Sequence, residues 1–423
     1  MALPSLRPPG HDRAGKSAFS AFARLLQPEH PGAFLQDVWE QRPYLVARRA
    51  ADHYADLLTL PAIDGLLAIP SAGASNQLAL VKTQGGTTST RLPPPTRSGI
   101  LDVGAIYDAY ADGYSVVLHN VGRRWPPLAR FCNALEAELS HPLSVSLYLH
   151  PPAAETAAAQ YAPYELFILQ LAGAQTWRVH APPVRLPLAP APERSEGACA
   201  TPLLAEISLT AGDLLYVPRG FPFEGRTGDT SSTYLALQVH VVRWTDLLRA
   251  VITGAAQEDV ELREGLPISF LATSETRAAL APRCAALLAT LAERANLEAA
   301  VRRLGTVLLE GAHASLESHF PSLGQLDQIQ LDTRVRRRTD TLRVFPRSAE
   351  VVTIEFPGRQ VNGPAYLEPA LRFIARTSAF AVRDLPDTLS DNAKLVLVRR
   401  LVRDGLLAID TLATPEEAAH DDG

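Results

Sequence analysis

Leu143-Ser144-Val145-Ser146-Leu147-Tyr148-Leu149-His150 alternates aliphatic with polar or aromatic side chains, one residue in two. A strand of that period puts Ser144, Ser146, Tyr148 and His150 on one face and Leu143, Val145, Leu147 and Leu149 on the other. Tyr234 to Val242 divides the same way, with Tyr234, Ala236, Gln238 and His240 opposite Leu235, Leu237, Val239 and Val241. Each strand thus has an aliphatic face for a core and a more polar face that can line an opening.

Working outward, Ser146-Leu147-Tyr148-Leu149-His150-Pro151-Pro152 is followed by Tyr164-Glu165-Leu166-Phe167-Ile168-Leu169-Gln170, which runs on to Trp177-Arg178. Next comes Gly212-Asp213-Leu214-Leu215-Tyr216-Val217-Pro218-Arg219-Gly220-Phe221. In this order the stretches resemble the JmjC-type ribosomal oxygenases, cupin-fold enzymes that use Fe(II) and 2-oxoglutarate to hydroxylate ribosomal proteins. Upstream, Phe34-Leu35-Gln36-Asp37-Val38-Trp39-Glu40-Gln41-Arg42-Pro43-Tyr44-Leu45-Val46 is similar to the segment that leads into that family's barrel. Near the other end, Leu395-Val396-Leu397-Val398-Arg399-Arg400-Leu401-Val402-Arg403-Asp404-Gly405-Leu406-Leu407 is similar to the close of its winged-helix module. The resemblance reaches nearly the whole chain. It implies an α+β architecture: a double-stranded β-helix (cupin/JmjC-like) barrel, then a helical dimerisation region, then a winged-helix-like C-terminal module.

The resemblance also implies where a metal would sit. In that family a His-x-Asp pair just before the Tyr-Glu-Leu-Phe stretch supplies two iron ligands, and here those positions read Gln160-Tyr161-Ala162. A third ligand, a His two residues beyond the Pro-Arg-Gly-Phe turn, is replaced by Phe223. The basic residue that pairs with the distal carboxylate of 2-oxoglutarate is matched by Gln175. Ala162 and Phe223 offer a metal no lone pair, and a Gln carbonyl is a weak neutral donor beside imidazole or carboxylate. A buried carboxylate left without its counter-charge costs roughly 3–5 kcal/mol, or about two to four decades of affinity. Of the eleven histidines, only His420 has an acidic residue two positions on, Asp422, so the barrel holds no displaced His-x-Asp.

A rebuilt site is the alternative. If the polar faces line the barrel mouth, Ser146, Tyr148, His150, Glu165, Tyr234, Gln238 and His240 are the candidate lining, with Gln160 beside them. His150, Glu165 and His240 would then suit Zn(II), or Fe(II) with 2-oxoglutarate. The competing reading makes His150 and His240 strand-end residues hydrogen-bonded to backbone or water. A third idea places a small acidic ligand on Arg178 or Arg219, both of which can equally pair with carboxylates.

Composition bounds the remaining classes. The chain has 423 residues, 47% of them hydrophobic, enough for a large core and too many for one domain. Cys132, Cys199 and Cys284 show no CxxC spacing, so neither a disulfide framework nor a zinc ribbon is indicated. No apolar run of membrane-spanning length and no export signal is present, which leads to the expectation of a cytoplasmic protein. A net charge of −5 argues against general nucleic-acid binding. The basic run Arg334-Val335-Arg336-Arg337-Arg338 fits a solvated edge strand, or else contacts RNA or an acidic protein. Gly85-Gly86-Thr87-Thr88-Ser89-Thr90 has no lysine and reads as a turn rather than a phosphate loop. Gly-x-Ser-x-Gly and His-Glu-x-x-His are both missing.

The expected organisation is a disordered leader (1–20), a JmjC-like cupin domain (21–245), a helical dimerisation region (246–324), a winged-helix-like domain (325–413) and an acidic disordered tail (414–423). Within the barrel, the proline-rich stretch Ala181 to Pro202 is expected to be a lid or surface excursion. In the helical region Leu280, Leu287, Leu288, Leu291, Leu297, Val301, Leu304, Val307 and Leu308 form an apolar stripe, suited to a homodimer interface or to packing on the barrel. These residues predict a homodimeric, JmjC-like pseudo-oxygenase without a cofactor, which binds a ribosomal or other protein, or a small ligand. The alternative is an active metalloenzyme with a relocated site.

Overall fold

The computed structural model describes residues 20–48, 50–68, 77–84, 87–93, 101–156, 159–190, 201–312, 319–339, 341–346 and 348–410. All of the expected leader (1–20) except Ser20, which opens a helix, and the whole of the expected acidic tail (414–423) lie outside the described residues, as do Gly85, Gly86 and the middle of the proline-rich stretch, 191–200. Two compact units emerge, one formed by the chain up to Leu139 with Leu143–His240, the other by Ser140–Pro142 with Val241 onward.

Among the described residues the first unit carries ten strands: β1 (Tyr44–Val46), β2 (Leu78–Gln84), β3 (Thr87–Arg91), β4 (Ser115–Leu118), β5 (Leu143–His150), β6 (Glu165–His180), β7 (Leu203–Thr210), β8 (Leu214–Val217), β9 (Phe223–Arg226) and β10 (Ser232–Val239). They pair in the order β1-β8-β6-β10-β5-β4-β2-β3, with β7 and β9 added to β6. The 16-residue β6 serves both halves of the barrel. Its first half pairs with β8 and β10, and its second half with β7 and β9. The turn between the halves is at Gly173, where φ is +67° and an added Cβ would lie 1.8 Å from the Ser231 carbonyl oxygen. Only glycine tolerates both conditions. Thr87, Thr88, Ser89 and Thr90, read from sequence as part of a turn, lie instead in the exposed strand β3 paired with β2, so turn composition there was overridden by hairpin pairing.

Strand alternation sorts the core into two layers. Phe167 and Leu169 of β6, Leu235 and Leu237 of β10, and Tyr216 of β8 face a cluster that includes Phe22, Leu25 and Phe34 of the helices Ser20–Leu26 and Pro31–Asp37. Leu166 and Ile168 of β6 turn the other way, into the barrel, and pack with Trp177, Val217, Tyr234 and Ala236. Each such side chain, removed fully from water, contributes about 1.5–3 kcal/mol. Rings fasten the outer layer: Phe34 meets Tyr216 edge-on at 5.0 Å, and Trp39 stacks on Tyr216 at 5.9 Å. Residues 181–190 and 201–202, the described ends of the proline-rich stretch, contain no helix or strand.

The second unit begins with the helices Trp244–Glu258, Ser274–Arg294 and Leu297–Gly311. Two three-stranded antiparallel sheets follow, built from β11 (Arg334–Arg337), β12 (Arg343–Pro346), β13 (Val351–Phe356), β14 (Arg359–Pro364), β15 (Ala379–Ala381) and β16 (Leu407–Ile409). Their orders are β15-β11-β16 and β12-β13-β14. The helices Glu368–Arg376 and Asp391–Arg403 bury Leu371, Ile374, Val398 and Leu401 in the same core as Val335 and Ile354. The arginine-rich stretch is therefore a central strand and not the expected edge. Val335 is fully buried between two partner strands, while Arg337 donates to the Ala375 carbonyl at 2.6 Å and Arg338 to the Leu407 carbonyl at 3.2 Å.

Candidate functional site

A cavity of about 360 Å³ opens inside the barrel of the first unit. Strand parity sets its walls: Tyr148 and His150 come from β5, Leu166, Ile168 and Trp177 from β6, and Tyr234, Ala236 and Gln238 from β10. Gln160 and Phe223 complete one side, joined as an antiparallel bridge in which the Phe223 N–H donates to the Gln160 carbonyl at 3.4 Å. The two positions that the resemblance assigns to metal ligands therefore face one another across a strand pair. The Ala162 carbonyl accepts from the Gly220 N–H at 3.1 Å, which ties the third position to the same turn.

Rings fill much of the interior. Tyr148 stacks on Tyr234 at 4.9 Å with planes 9° apart, and Trp177 meets Tyr234 edge-on at 5.3 Å. Phe223 lies 6.0 Å from Trp177. The His150 ring is held at both nitrogens, Nδ1 2.6 Å from Ser115 Oγ and Nε2 3.3 Å from the Tyr234 hydroxyl. Burial pushes its pKa down to about 4, so at neutral pH it is an uncharged hydrogen-bonding residue. His119, another wall residue, bonds Ser146 Oγ through Nδ1 at 3.1 Å and is also shifted down by burial. Ser146 itself is buried and is not among the lining residues.

Gln175, at the expected 2-oxoglutarate anchor, is 2% exposed and locked in a chain of hydrogen bonds. Gln170 Nε2 donates to Ser232 Oγ at 2.9 Å, and Ser232 Oγ donates to Gln175 Oε1 at 2.8 Å. The amide thus supplies no positive charge where the resemblance places one.

The alternative set His150, Glu165 and His240 is not brought together. Glu165 shares the parity of Phe167 and Leu169, so it turns away from the cavity and accepts from the Tyr216 hydroxyl at 2.5 Å and the Arg219 N–H at 3.3 Å. Arg219 also pairs with Glu40, whose own N–H donates to Tyr216 at 2.9 Å. Glu40 holds a left-handed backbone, φ 60°, inside this network. Burial raises the Glu165 pKa to about 7. His240 falls just past the end of β10, with Nε2 2.8 Å from Ser144 Oγ and its ring against Tyr164. Arg178 pairs with Glu224 at 3.2 Å and Glu206 at 3.6 Å, so both arginines considered for an acidic ligand are engaged by carboxylates. Among the described residues no group of three His, Cys, Asp or Glu is placed to hold a metal ion.

At the family's own positions the donors are one amide, one methyl and one benzyl group, a set that does not fit Fe(II). Ser115, His119, Glu155, Tyr164 and Trp177 are wall residues that sequence reading did not place in the cavity. The alternation of Ser115, Val117 and His119 was the available signal, since all three line it.

Residues 118–247 match the family model described as JmjC domain. Ribosomal oxygenase 1 of Danio rerio is 29% identical over 269 residues, which cover 62% of this chain and 48% of that protein. The Homo sapiens protein of the same name is 29% identical over 265 residues, 60% of this chain and 41% of its own. The chain thus spans less than half the length of these relatives. Among solved structures, the Escherichia coli ribosomal oxygenase YcfD superposes with a TM-score of 0.55 at 18% identity, covering 90% of this chain and 98% of that one. That likeness speaks for the fold. On this match and the cupin-like fold, residues 118–247 form a JmjC domain similar to that of the ribosomal oxygenases.

Proposed function

We propose that this chain is a JmjC-like cupin protein that works by binding a protein or a small ligand in its barrel, without iron- and 2-oxoglutarate-dependent oxidation. One observation carries the reading: Gln160 and Phe223 pair across the barrel wall with an amide and a phenyl ring where imidazoles would be needed, and the ring packs toward Trp177. Gln175, bonded to Ser232, removes the charge that would hold the distal carboxylate of the cosubstrate. The test is conversion of 2-oxoglutarate to succinate by protein supplied with Fe(II) and ascorbate. The expected result is turnover no higher than in a protein-free control; steady succinate formation abolished by a chelator contradicts the reading.

The second unit supports two further proposals. Trp244, Leu248, Ile252, Leu288, Val301 and Val307 are each at least 45% exposed, and the helix Ser274–Arg294 buries none of its residues. We assign this helical region to homodimerisation. The strand and helix order after residue 325 is assigned to a winged-helix-like module for protein contact, the ribosome being one candidate partner. Among the described residues no helix is long and apolar enough to cross a membrane, and we place the protein in the cytoplasm.

A further inference from the structure

We propose that the second unit holds a ligand site of its own, a cavity that takes a phosphate dianion, either free or as the phosphomonoester of a small molecule. The sheet β12-β13-β14 has two unlike faces. Val344, Ile354 and Val361 turn into the core of the unit. Arg343, Glu355 and Gln360 stand side by side in register on the opposite face, with Phe345, Thr353 and Asn362 in the next row. The helix Leu297–Gly311 runs over this polar face, and between them opens a cavity of about 540 Å³, inside the small-ligand range of roughly 300–1,000 Å³. Arg302, Arg303 and Thr306 of the helix and Thr353, Glu355 and Gln360 of the sheet line it.

The charges on these walls do not cancel. Glu355, the one acidic residue that lines the cavity, is already matched by Arg343, which donates to its Oε2 at 2.6 Å, to Thr306 Oγ1 at 2.9 Å and to the Arg302 carbonyl at 2.8 Å. Arg302 meets Glu298 only at 3.9 Å, and that carboxylate is 86% exposed, a pairing that water screens to little. Arg303 donates to the neutral amide of Gln257 at 3.0 Å, and no carboxylate pairs with it among the described residues. Two guanidinium charges on adjacent residues are therefore left for a guest. Their planar forks match the paired oxygens of a phosphate group.

Glycines make the room. A Cβ added at Gly254 would lie 2.1 Å from Arg303 Nη1, and one at Gly305 would lie 2.2 Å from Arg343 Nη1. Both glycines sit inside helices, where this residue is a poor helix former. The notches explain their presence: each lets a guanidinium lie against a helix backbone.

Isothermal titration calorimetry of the full chain, at constant ionic strength in chloride, compares inorganic phosphate, AMP and adenosine. Phosphate and AMP are expected to bind and adenosine is not. Arg302→Gln and Arg303→Gln are each expected to weaken both ligands about 10- to 100-fold, the loss of one hydrogen-bonded charge. Arg294→Gln, an exposed arginine of the neighbouring helix that does not line the cavity, is expected to change neither. Gly254→Ala supplies an independent check, because it favours the helix while displacing the Arg303 guanidinium, and it is expected to weaken phosphate with the fold retained. Phosphate as tight as AMP assigns the site to the free ion, and tighter AMP assigns it to a nucleotide-like monoester; either supports the proposal. Adenosine binding as tightly as AMP, full phosphate affinity in Arg303→Gln, or no phosphate binding at millimolar concentration overturns it. The barrel reading stands or falls separately, on turnover of 2-oxoglutarate.

Discussion

Phe223 and Gln160 face each other as an antiparallel bridge pair, with the Phe223 N–H on the Gln160 carbonyl at 3.4 Å. Residues directly opposite in such a pair project to the same face with Cβ atoms about 4.5–5.5 Å apart. The bridge therefore sets positions 160 and 223 side by side on one face of the barrel wall, where they offer an amide and a benzyl group.

Restoring the donors should restore the metal. The triple variant Gln160→His, Ala162→Asp, Phe223→His is expected to bind about one Co(II) or Fe(II) per chain, with the wild type well below that level. Visible absorption of the Co(II) form checks it; an equally colourless variant of unchanged fold means that the bridge geometry is not site-competent.

Glu165 and His150 should impose opposite pH slopes on stability. The Glu165 pKa is raised to about 7, so its contribution is complete below its ordinary range near 4.5 and is lost as pH rises through 7. The His150 pKa is lowered to about 4, so its contribution is complete above 6.5 and is lost as pH falls toward 4. The two largely offset each other between these limits. Glu165→Gln is expected to unmask the histidine, giving a Tm that rises with pH across that window more steeply than in the wild type.

Arg219→Ala should be costly. It removes the counter-charge of a fully buried carboxylate and the partner of Glu40, with an expected loss of about 3–5 kcal/mol in urea unfolding at pH 8. The loss is expected to shrink in an Arg219→Ala, Glu165→Gln double variant, because no buried charge remains at position 165.

Gly173→Ala should unfold the barrel at its bend. A Cβ at 1.8 Å from the Ser231 carbonyl oxygen and a φ of +67° together predict a loss above about 2 kcal/mol. Chemical denaturation of the variant measures it directly.

Much of the barrel was legible because period-two alternation survives in β5 and β10: Tyr148, His150, Tyr234 and Gln238 were placed on the lining face, and they line the cavity. Glu165 was misplaced because a lone carboxylate in an apolar run looks functional until parity is applied. It sits on the Phe167 and Leu169 face, where Tyr216 and Arg219 compensate it from positions distant in sequence. The central position of Arg334–Arg337 was equally hidden, since its two neighbours, β15 and β16, arrive some forty and seventy residues later. Glu155 carried no local pattern and is tied to the wall by its bridge with Arg226 of β9, while Trp177, read only as the end of the β6 stretch, reaches the wall from the second half of β6.

The most direct test of the central claim is iron stoichiometry, measured anaerobically on the wild-type chain and the restored triple variant side by side after gel filtration. The account predicts far less than one iron per wild-type chain and about one per variant chain. Stoichiometric iron in the wild type, undiminished by Gln160→Ala, would contradict it.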